Sequence, residues 1–401
     1  MKIDRDYLFS TLADLIRINS INPTLAATGP GEAEVADYVA TALGSLGLDV
    51  SKLESQPGRV SLVGILRGTR SSRDNASSPA RESGDAKNLM LNAHYDTVGI
   101  EGMAEPFSAA LRDGKMFGRG SYDMKGSLAA QMAAVKAIVD SGDRPRGDVI
   151  IAAVADEEYG SIGTFDVIRH FKNKAKPYAA IVTEPTAARI CLAHKGYLWI
   201  EIETIGRAGH GSRFESGIDA NMMMGRFLSE LDKLERDLRA RSPHPLLGPP
   251  SLHAAMIHGG EGLSTYAASC KLQIERRTIP GETESQVVLE LQAIVDRLAA
   301  CGSAFQATIR SYFVRDPFEI ARDAAVVRAV ARASWTVLAR APEYIGDTPW
   351  MDAALLQTAG IETVVIGPAG GGAHAAVEWV ELESVAQIAA ILAETAMDFC
   401  A

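Results

Sequence analysis

The sequence predicts an α/β protein: a mixed, mainly parallel sheet flanked by helices, with an inserted α+β unit of the split βαβ kind. Three observations predict it. Nearly continuous apolar runs at 89–93, 149–155, 179–182 and 363–366 have the character of strands covered on both faces, as parallel strands are. A residue capable of chemistry follows each run directly or a turn later. Between 196 and 313 the pattern turns to alternation in the order β-α-β-β-α-β, a compact unit in itself. The first pattern then resumes, so 1–195 and 314–401 are expected to form one catalytic, metal-binding domain around an inserted lid and dimerisation domain at 196–313. A length of 401 residues already exceeds a typical single core.

The elements follow in order. Residues 7–18 place Leu8, Leu12, Leu15 and Ile16 on one helical face, and the stretch ending at Pro23 stops that helix. Residues 32–46 form a second amphipathic helix, ended by Gly47. A strand follows at 60–66. The stretch 69–87 is polar, with almost no large apolar side chain, the composition of a surface loop, and no chemistry is assigned to it. After the 89–93 strand, a Gly-rich turn at 117–126 leads into a helix at 127–139; its spacing is not that of a phosphate-binding loop. The inserted unit reads as strands at 197–204, 251–258, 269–276 and 305–313 with helices at 220–238 and 285–300. Its alternation leaves one sheet face for solvent or a partner. Helices at 324–338 and 352–358, the 363–366 strand, a Gly-rich turn at 367–374 and a helix at 383–399 complete the chain.

Composition narrows the function classes. With 47% hydrophobic and 22% charged residues, the chain is ordinary soluble globular material. A net charge of −10 without a basic stripe argues against a nucleic-acid partner. No signal core opens the chain and no apolar run has membrane length, so no membrane association and a cytoplasmic location are expected. Cys191, Cys270, Cys301 and Cys400 are widely spaced, so a metal here must be held by nitrogen and oxygen.

His94 and Asp96 stand just beyond the first apolar run, two positions apart and on one side of an extended chain. An imidazole can bind a metal through one nitrogen while a carboxylate holds the other N–H, which makes His94 a candidate ligand and Asp96 its orienter. A surface His-x-Asp without metal is the alternative. Asp123, in the Gly-rich turn, is either a helix-capping aspartate or a ligand. Asp156, Glu157 and Glu158 follow a strand and are either a solvated acidic turn or a site whose repulsion a cation relieves. Glu184 and His374 also follow strands or the turn beyond. In an open α/β sheet, residues past the carboxyl ends of the strands converge on one crevice. Five such residues, His94, Asp123, Glu158, Glu184 and His374, suit two divalent ions, zinc first, with cobalt or manganese as alternatives. Asp123 is the expected bridge, since two carboxylate oxygens span metals roughly 3.5 to 4 Å apart. Glu157, beside the ligand Glu158, is then the candidate base for proton transfer.

His94-x-Asp96, Gly-Arg-Gly-x-x-Asp123-x-Lys-Gly, Asp-Glu157-Glu158, Glu184-Pro-Thr and the late Gly-rich turn with His374 and Glu378 together resemble a known family. It is that of the zinc-dependent amidohydrolases which includes acetylornithine deacetylase, succinyl-diaminopimelate desuccinylase, aminoacylase and the glutamate-releasing carboxypeptidase. The resemblance spans nearly the whole chain. It implies His94, Asp123 and Glu184 around one metal, and Asp123, Glu158 and His374 around the other. Glu184 resembles the deacetylase and carboxypeptidase branches, since the dipeptidase branch carries Asp there. It further implies that His210 is the lid histidine that reaches the substrate carbonyl from the partner of a homodimer, and that Arg277 grips a substrate carboxylate. Arg276 competes for that role, and Glu275 stands where Asp is expected. One departure matters: an Asn-x-x-Pro segment is expected after Gly259-Gly260, whereas Leu263 and Ser264 open a different run. If Ser264 takes the Asn's place toward the substrate, it contributes less.

The expected function is hydrolysis of the amide of a small-molecule N-acyl amino acid by a metal-bridging hydroxide, with Glu157 as general base. An exopeptidase, or another C–N hydrolysis such as deamination, is the alternative. A relative that binds metal without turnover fits less well, since it has no need of an uncoordinated Glu157.

Overall fold

The computed structural model describes residues 1–69, 86–301 and 304–401. Residues 70–85, most of the stretch read as a polar surface loop, lie outside the described residues. The chain divides into two compact units, Met1–Leu192 with Ile320–Ile345 and Met351–Ala401, and Ala193–Glu319 with Gly346–Trp350.

In the larger unit the strands Val149–Val154, Leu89–His94, Ala179–Val182 and Glu362–Val365 lie side by side and parallel. Ser61–Leu66 and then Asp49–Leu53 extend one side of this block antiparallel, and Ile190–His194 pairs antiparallel with Glu362–Val365 on the other. Every residue of Leu89–His94, Val149–Val154 and Ala179–Val182 is buried, which is why their sequences run apolar without alternation. Gly126–Ser141, buried nearly all round through its alanines, packs against Arg5–Arg17 and Leu382–Phe399. Arg5–Arg17 starts where the Asp4 carboxylate accepts the Tyr7 N–H at 3.0 Å. Asp49–Leu53 and the helix Ile162–His170 have no counterpart in the sequence reading. The first is an exposed, partly charged edge strand, and the second is short and begins Ile-Gly-Thr.

A small antiparallel sheet also escaped the periodicity, because its strands are two or three residues long. Its order is Gly370–Gly371, Trp379–Glu381, Lys115–Phe117 and Ala110–Arg112. It brings the turns carrying Asp123 and His374 to one place.

The smaller unit is an antiparallel sheet in the order Ser251–Gly259, Ser269–Thr278, Gly196–Ile205 and Ala307–Arg315, with helices Ala220–Ala240 and Glu284–Cys301. Leu198, Ile200 and Ile202 point into a core with Met223, Phe227, Leu231, Leu291 and Ile294. Tyr197, Trp199, Glu201 and Glu203 alternate with them and are only half-buried. Among the described residues, no helix is long and apolar enough to cross a membrane.

Candidate metal centre

His94 closes its strand fully buried, and its two ring nitrogens face different groups. Nδ1 lies 3.0 Å from the Asp96 carbonyl and 3.6 Å from its carboxylate. The backbone carbonyl, not the expected carboxylate, is therefore the nearer orienting group. A proton on Nδ1 leaves the Nε2 lone pair directed at Asp123 Oδ1, 3.1 Å away, and at Glu184 Oε1, 3.7 Å away. The Asp96 carboxylate does other work: it accepts the backbone N–H groups of Glu157 at 3.1 Å and Glu158 at 3.3 Å.

Those bonds shape the acidic turn. Asp156 has a φ of 67°, which turns its carboxylate back into the protein to meet Arg59 and Asn22. Glu158 points the other way, to His374 Nε2 at 3.0 Å. Glu157 keeps its Oε2 3.9 Å from His94 Nε2. The three adjacent carboxylates are thus spread over three environments, which lessens their mutual repulsion without removing it.

Asp123 sits in the tight turn Ser121–Lys125 ahead of Gly126–Ser141, and that helix has no side-chain cap at Lys125. Its carboxylate faces imidazoles instead, with Oδ2 3.5 Å from His374 Nε2. The turn is built around Glu378, which is 1% exposed. The Glu378 carboxylate accepts the N–H groups of Gly120 at 3.0 Å, Tyr122 at 2.9 Å and Asp123 at 3.1 Å, and pairs with Arg119 at 2.7 Å. His374 itself has a φ of 61° and is the most open of the group.

Two groups result, His94–Asp123–Glu184 and Asp123–Glu158–His374, each with donor atoms within 4.8 Å of one another and Asp123 common to both. Four ligand bonds near 2.1 Å at tetrahedral angles put neighbouring donors about 3.4 Å apart. The separations of 3.1, 3.7, 3.5 and 3.0 Å fit that size. The donor set is nitrogen and oxygen only.

Electrostatics point the same way. Burial pushes the Glu157 and Glu184 carboxyls well above their usual range, and neighbouring carboxylates add to it, against the pull of His94. Burial likewise raises Glu158 to about 7. Burial also pushes Asp123 up, but hydrogen bonds from His374 and His94 outweigh it and hold that carboxyl low. The Asp123 and Glu158 carboxylates raise His374 to about 10. Without cations, this cluster holds protons where positive charge is wanted.

The other residues picked from sequence lie in the smaller unit. His210 is exposed, with Nδ1 2.8 Å from Ser212 Oγ, and its segment runs beside Ser264, whose carbonyl accepts the Gly211 N–H at 2.7 Å. Arg276 is buried and bound to Glu282 at 2.5 Å, whereas Arg277 stands half-exposed on the open sheet face beside Glu275 and over the Tyr197 ring. Sequence reasoning passed over Asn22, Glu32 and Arg59, and it quoted Arg119, within the Gly-Arg-Gly motif, and Glu378 without a role. Nothing local marks Asn22, Glu32 and Arg59, because each meets its partner across a long stretch of chain.

This arrangement of fold and site defines the class. Residues 90–398 match the model of Peptidase family M20/M25/M40, and the chain belongs to that family of metal-dependent amidohydrolases. It is 29% identical over 316 residues to an acetylornithine deacetylase of Myxococcus xanthus, covering 78% of this chain and 80% of that one. It is 27% identical over 395 residues to the N-formyl-4-amino-5-aminomethyl-2-methylpyrimidine deformylase of Bacillus subtilis, covering 91% and 89%. Its fold is that of the aminopeptidase PepT of Bacillus cereus, with a TM-score of 0.78 at 16% identity over 100% of both chains.

Proposed function

We propose that the chain hydrolyses the amide of an N-acyl amino acid, with two divalent ions, zinc in preference to cobalt or manganese. His94, Asp123 and Glu184 would hold one ion, and Asp123, Glu158 and His374 the other. The observation that carries the reading is Glu157. It belongs to neither ligand group, yet its carboxylate lies 3.9 Å from the ligand His94 and burial raises its affinity for a proton. Bound divalent ions lower the pKa of water and polarise a carbonyl. Glu157 takes the proton of the attacking water and delivers it to the leaving nitrogen, a transfer typically worth roughly a hundred- to ten-thousand-fold. Asp96 keeps Glu157 in place through the backbone N–H it accepts. In the same reading His210 of a partner subunit donates to the substrate oxygen, Arg277 grips its carboxylate, and Ser264 lines the pocket. The smaller unit forms a homodimer interface, and the protein works in the cytoplasm.

A second reading is hydrolysis of another C–N bond, such as the formamide of an amino-substituted pyrimidine. It draws support from the similarity to the deformylase over most of the chain and from the changed run at 263–269. Exopeptidase action is the third. One experiment separates them: amine release by zinc-loaded protein from N-acetyl, N-succinyl, N-formyl and N-aminoacyl compounds, with chelated protein alongside. The N-acyl reading predicts chelator-sensitive release from acetyl or succinyl amino acids. Release from peptides or pyrimidine formamides alone would overturn it.

A further inference from the structure

Behind Asp96 lies a chain of buried polar side chains, Asn22, Asp156, Arg59 and Glu32, that none of the roles above requires. Arg59 donates through Nε and Nη2 to the two oxygens of Glu32, at 2.8 and 2.7 Å, and through Nη2 to Asp156 Oδ1 at 2.7 Å. Asn22 gives its amide hydrogens to Asp156 Oδ1 and to Asp96 Oδ2, both at 2.9 Å. Its own Oδ1 accepts the Thr24 N–H at 3.0 Å, which fixes which end of the amide faces the carboxylates. Asp96 then holds the Glu157 and Glu158 backbone. Glu32, Asn22, Asp96, Asp156 and Arg59 are all buried.

Such a cluster is a poor way to stabilise a core. Glu32 and Asp156 share one guanidinium away from water, with Asp96 tied on only through the neutral Asn22 amide, and replacing buried ion pairs by packed apolar groups is often neutral or favourable to stability. What the cluster does achieve is local. It secures the left-handed Asp156 at one end of the acidic turn and the amides of Glu157 and Glu158 at the other. We propose that Arg59 and Asn22 are positioning residues for the 156–158 turn, setting the grip of Glu158 on its ion and the aim of Glu157 while touching neither side chain. The proposal rests on the two-metal reading above. Outer partners of metal ligands are typically worth about 10- to 100-fold in metal affinity or activity.

The test is zinc release from the full-length, zinc-loaded chain into increasing chelator, followed as two steps, for the parent, Arg59→Met, Arg59→Lys and Asn22→Ala. Leu12→Ala, a core truncation outside the network, controls for lost stability. Arg59→Met and Asn22→Ala should release one ion about 10- to 100-fold more readily and leave the other step in place, with Arg59→Lys between them and the parent. With a substrate in hand, kcat should fall while KM holds. If Arg59→Met does not fold, Arg59→Lys and Asn22→Ala carry the test. Unchanged steps in folded variants overturn the proposal, as do two steps that shift together in proportion to lost thermal stability, as in Leu12→Ala. A parent chain that binds fewer than two zinc ions sinks the two-metal reading and this proposal with it. Two ions in the parent and unshifted variants sink the proposal alone.

Discussion

Asp123 stands between two imidazoles, its Oδ1 3.1 Å from Nε2 of His94 and its Oδ2 3.5 Å from Nε2 of His374. One side chain thereby serves both ligand groups, while His374 serves one. Asp123→Ala should strip both ions and His374→Ala one. Elemental analysis of desalted protein reads this directly, and equal loss in the two variants would contradict a shared ligand.

Glu157 is separable from the metals. Glu157→Gln keeps the shape of the side chain and removes the base, so metal content should stay at the parent level while turnover drops roughly a hundred- to ten-thousand-fold. Loss of metal in this variant would move Glu157 into the ligand set.

Protons and cations compete for the centre, which gives the pH dependence a sign. His374, raised to about 10 by Asp123 and Glu158, holds a proton in the metal-free fold that the unfolded chain has lost above about 6.5. Its contribution to the metal-free protein is complete below that value and declines as pH rises toward 10. Glu158, raised to about 7, acts in the same direction at lower pH. A metal must displace these protons. The gap in Tm between zinc-loaded and chelated protein should therefore widen from pH 6.5 upward, in a series at constant free zinc. A constant gap would count against both assignments.

The two neighbouring arginines should separate cleanly. Arg276 is buried against Glu282, and removing one partner of such a pair costs about 3 to 5 kcal/mol, so Arg276→Ala should unfold at markedly lower denaturant. Arg277 is half-exposed, so Arg277→Ala should keep its stability and lose affinity for carboxylate-bearing substrates, read as KM. A rise in KM with Arg276→Ala alone would reverse the assignment.

Much of this was legible in sequence because the centre is built at strand ends. Apolar runs announce buried parallel strands, and whatever follows them lands at the mouth of the sheet, so His94, Glu158 and Glu184 could be placed from pattern alone. The split βαβ order was equally readable, since half-buried strands alternate. What could not be read depends on geometry rather than period. The short strands around Lys115–Phe117 and Trp379–Glu381 carry no repeat, and the left-handed turn at Asp156 leaves no mark on composition. Asp96 shows the limit well: its position beside His94 was evident, but the sequence could not distinguish its carbonyl from its carboxylate as the nearer partner.

The Glu378 carboxylate reaches back 255 residues to the amide of Asp123. During synthesis the strand with His94 and the turns with Asp123, Glu158 and Glu184 leave the ribosome long before it. Until Glu378 emerges, the N–H groups of that turn lack the acceptor that shapes them, and His374 comes only four residues earlier. Between Glu184 and Glu378, about half of the chain's synthesis, four of the five candidate ligands have been made while the acceptor that shapes the Asp123 turn has not. On the two-metal reading, metal capture in the shared geometry would wait for that acceptor.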